Sequence, residues 1–62
     1  MQVVKKSENG KVMMTKRRLG YAVSEWVGKW SPVAGSFMYE WITRGTSANE
    51  ADATVLFDML AA

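Results

Sequence analysis

The chain has no cysteine, no histidine and a single proline among its 62 residues. Without cysteine there can be no disulfide, thiolate nucleophile or thiolate metal site, and the lack of histidine also removes the usual zinc and copper ligands. Ser-His-Asp and Cys-His catalytic arrangements are excluded for the same reason. The stretch from Gly28 to Gly35 lacks the Gly-Lys-Ser/Thr ending of a phosphate-cradling loop. The remaining candidates for acid and base chemistry are Glu8, Glu25, Glu40, Glu50, Asp52 and Asp58. Paired carboxylates need a cleft that separates their pKa values, and a chain this short has little volume for one. The expectation is a protein that binds, with no catalytic residue, cofactor or metal.

Long apolar runs are also missing. Trios such as Val12-Met13-Met14 and Val55-Leu56-Phe57 fall far short of a bilayer span, and Met1-Gln2-Val3-Val4-Lys5-Lys6 offers no signal-peptide core. A cytoplasmic protein without integral membrane association is expected.

Large side chains, in contrast, are abundant. Apolar residues make up 48% of the chain, with three Trp, two Tyr, two Phe and five Met, a composition too rich for a disordered polypeptide. Residues 1–62 read as one small domain, of a size that often needs a second subunit for support. The charge is uneven. Residues 1–30 hold seven Lys/Arg against Glu8 and Glu25, whereas residues 31–62 hold Arg44 against four acids. A basic half suits an anionic partner.

Residues 1–14 read as a β-hairpin, or as a basic arm with one strand: Val3-Val4 and Val12-Met13-Met14 flank Asn9-Gly10, a strong short turn signal. From Thr15 the apolar spacing turns helical. Leu19, Val23, Trp26, Val27 and Trp30 predict a helix over about 16–29, with Thr15 as N-cap and Gly28 near its end. Ser31-Pro32 then resembles an N-cap followed by Pro at N1, opening a second helix over about 32–43 with Val33, Ala34, Phe37, Met38, Trp41 and Ile42 on one face. Ser47 and Glu50 form a capping box for a third helix from 48 to about 60, whose buried stripe would be Ala51, Val55, Leu56, Met59 and Leu60. The expected fold class is mainly α (small α+β), an N-terminal hairpin or strand followed by a compact three-helix unit over 15–62.

Two binding functions fit this outline. The first and preferred is a DNA-binding regulator, either a helix-turn-helix with Val23, Val27, Phe37 and Trp41 inward or a ribbon-helix-helix with a strand at 12–17 in an obligate homodimer. Lys5, Lys6, Lys11, Lys16, Arg17, Arg18 and Lys29 would meet phosphates, and Ser31, Ser36 and Tyr39 would lie on the nucleic acid. Cations at Lys16-Arg17-Arg18 would oppose the dipole of a helix starting there, which favours a function for them. The second is a small inhibitor or adaptor of the kind phages and mobile elements encode, gripping a host protein through Trp26, Trp30, Phe37 and Trp41 with Met side chains nearby. A third, membrane-surface binding through a basic helix over 16–30, is opposed by Glu25 and the two glycines. The terminal Leu60-Ala61-Ala62 also resembles the end of the tag that bacteria add to stalled products for degradation.

Overall fold

A computed structural model describes residues 2–62; Met1, the first residue of the expected arm, lies outside the described residues. Strands β1 (Gln2–Lys6), β2 (Val12–Arg17), β3 (Gly20–Ser31) and β4 (Ser36–Ser47) form an antiparallel sheet in the order β1-β2-β3-β4. Helix α1 (Glu50–Ala61) packs on one face of it, and at 12 residues it is not long or apolar enough to cross a membrane.

The mainly α expectation is therefore overturned: the segments assigned to the first two helices are β3 and β4. With them go the helix-turn-helix and ribbon-helix-helix outlines and the basic membrane-surface helix. The error has an identifiable cause. Side chains alternate across a strand, so Tyr21, Val23 and Val27 of β3 lie on one face and Ala22, Ser24, Trp26, Gly28 and Trp30 on the other. Both faces carry apolar residues, and positions 23, 26, 27 and 30, drawn from opposite faces, happen to fall at helical intervals. In β4, Phe37, Tyr39, Trp41 and Thr43 alternate strictly in a segment rich in aromatic and β-branched residues. Ser31-Pro32 closes a hairpin instead of opening a helix. The Ser31 hydroxyl accepts from the Ala34 amide at 3.2 Å and its carbonyl from the Gly35 amide at 2.8 Å. A serine acceptor followed by a residue with fixed φ suits the start of a turn as well as it suits a helix.

The first hairpin turns at Ser7–Lys11. The Asn9 side chain accepts from the Lys11 amide at 2.9 Å, and the Ser7 hydroxyl from the Val12 amide at 2.9 Å. Register is interrupted twice. Val4 is the extra residue on β1, and Arg44 is the extra residue on β4, its side chain reaching Glu25 at 3.0 Å. Beyond Glu25, β3 has no strand partner except β4. The two continue as a two-stranded ribbon that projects from the sheet to the turn at residues 32–35.

The third helix exists, but it is capped by Asn49, not Ser47. The Asn49 carboxamide oxygen accepts from the Asp52 amide at 2.9 Å, with Glu50 and Asp52 placed in the positive first turn. Its buried stripe matches the expected one at Leu56 and Leu60 but not elsewhere, and Ala51 is exposed. Ala53 and Phe57 are buried, with Leu56, Leu60 and Ala61 beside them, while Val55 and Met59 face outward. These contacts fall at i, i+3, i+4, i+7 and i+8, one continuous helical face. They close on Val12, Met14 and Val23 from the middle of the sheet, with Tyr21 at the margin. Gly45 lets the helix come this close: a Cβ there would lie 2.5 Å from the Leu56 side chain. Leu60 and Ala61, the first two residues of the tag-like ending, belong to this packed helix. Leu19 and Val33, expected on inward helix faces, lie in turns and are almost fully exposed.

The opposite face of the sheet has a floor of small residues. Thr15, Ala22 and Ser24 are buried there, and Ser24 meets Thr43 across the strands at 3.5 Å. The Thr15 hydroxyl is buried with no hydrogen-bond partner. An unpaired buried hydroxyl costs about 1–3 kcal/mol, so Thr15→Val, which keeps the shape and removes the group, is expected to stabilise the fold by about 1 kcal/mol. In a thermal melt this should raise Tm by roughly 4–8 °C. A lower Tm would mean that the hydroxyl is satisfied in solution.

Candidate nucleic-acid interface

The register places Trp26, Gly28 and Trp30 of β3 on the face opposite α1, together with Phe37, Tyr39 and Trp41 of β4. Trp26 is paired with Trp41, Gly28 with Tyr39, and Trp30 with Phe37. Five of the seven aromatic residues thus form one stripe running from the middle of the sheet out along the ribbon. Each is 38–58% exposed, a high value for side chains of this size.

The rings support one another. Trp26 and Tyr39 are nearly parallel, with centroids 6.0 Å apart and 15° between planes, and Trp26 lies 5.3 Å from Trp41 at a tilt of 54°. Trp30 and Phe37 meet edge to face at 5.5 Å. Gly28 makes room for this arrangement, since a Cβ there would lie 2.6 Å from the Tyr39 ring. Such cross-strand pairs contribute a few tenths to about 1 kcal/mol each and hold the rings in place with their outer surfaces in solvent.

Two cations flank the inner end of the stripe, and a third shares its face. The Lys6 ammonium stands 5.9 Å from the centre of the Trp41 ring, reaching toward it across the same face from β1, at the opposite edge of the sheet. Lys11 directly precedes β2 and lies opposite Trp26, whose amide donates to the Lys11 carbonyl at 2.8 Å; extending the alternation of β2 by this one residue carries its side chain to the aromatic face. Arg17 shares that face at the end of the sheet away from the ribbon, opposite Gly20 and six positions along the chain from Lys11. Carboxylates are elsewhere. Glu25 and Glu40 alternate onto the helix side, Glu50, Asp52 and Asp58 are on α1, and Glu8 is in the first turn. Among the described residues, the aromatic face carries no acidic side chain.

The other residues expected to contact nucleic acid are scattered. Lys5 is on the helix side, 3.8 Å from Asp58 and over the Phe57 ring. Lys16 alternates to that side, opposite Tyr21, and Arg18 occupies the β2–β3 turn. Lys29 pairs with Met38 on the reverse of the ribbon. Ser31 is engaged in its turn, and Ser36 opens β4 opposite it. Of the expected phosphate contacts, the fold brings Lys6, Lys11 and Arg17 to one face, joined there by Tyr39 and by the four aromatics first read as a protein interface. What was missed is their union into one surface, which the spacing of Phe37, Tyr39 and Trp41 at successive second positions signals once the segment is read as a strand. Among the described residues, no three His, Cys, Asp or Glu side chains gather as a metal site would require.

No protein-family model, curated protein or solved structure matches the chain.

Proposed function

We propose that this is a non-enzymatic nucleic-acid-binding protein of the cytoplasm that uses the open face of its sheet. One observation carries this reading: five exposed rings and three cations share a face that, among the described residues, is free of carboxylates, while the acids lie on the helix side or in the first turn. This sorting fits a ligand that presents both negative charge and flat apolar surface. Nucleic acid combines the two, with phosphates for Lys6, Lys11 and Arg17 and bases for the rings.

Salt dependence tests it. If three phosphates are neutralised, log K should fall with log salt at a slope of about −2 on a single strand and closer to −3 on a duplex. Replacing Lys6, Lys11 or Arg17 with alanine should each reduce that slope by about 1, while Lys29→Ala, on the reverse of the ribbon, should leave it unchanged. Failure of the wild type to retain any nucleic acid at low salt would overturn the proposal.

The alternative is a protein-binding inhibitor or adaptor using the same rings. It is favoured by β4, a 12-residue edge strand whose outer backbone groups have no strand partner and which a partner strand or a second copy could extend as a homodimer. Contact with a protein through the rings would show little salt dependence, so the same titration separates the two readings.

A further inference from the structure

Resting on that nucleic-acid reading, we infer that the ligand is a single strand whose bases stack on the rings, held with little preference for sequence. In a duplex the faces of the bases are covered by their neighbours, so exposed rings gain stacking partners only from unpaired bases. The aromatic stripe has ring surface to offer, and its charged neighbours are suited to phosphate.

Reading a duplex would call for base-edge readers along the ribbon, beyond the cations at the sheet. Base edges in the major groove are recognised by Arg, Lys, Asn and Gln reaching in bidentate fashion. The ribbon presents none on its aromatic face: Trp26, Gly28, Trp30, Phe37, Tyr39 and Trp41 occupy it. Asn9 is engaged in the first turn, Asn49 caps α1, and Gln2 lies opposite Lys16 on the helix side. Lys6 and Lys11 lie beside the Trp26, Tyr39 and Trp41 cluster, whereas the Trp30 and Phe37 pair at the outer end has no cation on its face. A strand lying along the ribbon would therefore be gripped by charge at the sheet and by stacking alone toward the tip. Trp30 stands four positions beyond Trp26, about 14 Å along the strand. This suits a short site, near the low end of the range of roughly 4–16 nucleotides for sheet-borne single-strand sites.

All three tryptophans of the chain lie on this face, so intrinsic fluorescence reports on it directly. The test titrates the 62-residue chain at low salt with oligothymidylate, with oligouridylate and with a mixed-sequence DNA duplex of equal length, following tryptophan emission and, separately, the anisotropy of a labelled oligomer. At least one single strand is expected to quench the emission and to bind at least about tenfold more tightly than the duplex. The thymidylate and uridylate arms show whether DNA, RNA or both are accepted. Duplex binding equal to or tighter than both single strands would overturn this inference and leave the nucleic-acid reading standing. Single-strand binding without any change in emission would overturn the stacking mode. Binding by none of the three would overturn both.

Discussion

Phe57→Ala is expected to leave the protein without a cooperative thermal transition above room temperature. Phe57 is 3% exposed and is the largest side chain that α1 inserts against Val12, Met14 and Val23. Truncating a buried Phe typically costs about 3–5 kcal/mol through lost burial and the cavity left behind. At the usual 0.05–0.15 kcal/mol per residue, a chain of 62 residues has roughly 3–9 kcal/mol in total. The substitution removes a large share of that, and the aromatic face cannot replace it because its rings lie across the sheet from the core. The variant should show reduced helical circular dichroism and a broad, sloping melt. A melt within a few degrees of wild type would mean that α1 does not supply the core. Val55→Ala, on the exposed side of the same helix, should melt close to wild type.

The parts of this fold that could be read from the residues are those set by local chemistry. Asn9-Gly10 marks a turn between two short apolar segments, and a hairpin pairs there. Glu50 and Asp52 mark the start of a helix, although Asn49 and not Ser47 caps it, and its expected stripe holds Leu56 and Leu60 but omits Ala53 and Phe57. What could not be read was β3 and β4, because a long strand with apolar residues on both faces gives no clean two-residue alternation. Val23 and Val27 on one side and Trp26 and Trp30 on the other imitate a helical stripe. Alternation in β4 was available in Phe37, Tyr39 and Trp41, but the Ser-Pro pair ahead of it carries the same chemistry at a hairpin turn and at a helix N-terminus.

For the site, residue types were legible and their arrangement was not. The surplus of aromatics and the basic N-terminal half stand out in composition, yet each points to a different partner, a protein for the rings and nucleic acid for the cations. The sheet instead places Trp26, Trp30, Phe37, Tyr39 and Trp41 with Lys6, Lys11 and Arg17 on one face, while Lys5 and Lys16 turn to the helix side. That division follows from the parity of each position and from the extra residue at Val4, which sets whether Lys5 or Lys6 faces the rings. A bulge of one residue cannot be placed from residue types alone.

Removal of two rings from the ribbon tests the central claim most directly. Trp30 and Tyr39 are both more than half exposed and lie outside the core cluster, so the double variant Trp30→Ala, Tyr39→Ala should keep the helical and sheet signals of the wild type. Each base stacked on an aromatic side chain is worth about 1–3 kcal/mol, and losing two such contacts should weaken binding of oligothymidylate or oligouridylate by at least about 30-fold. Because the cations remain, the slope of log K against log salt should not change. The measurement is the affinity of the folded double variant, with Val55→Ala as a control expected to bind as wild type. A large loss of affinity at constant salt slope is the predicted result. Affinity within about twofold of wild type in a folded double variant would contradict the account, because nucleic acid would then be bound away from the aromatic face.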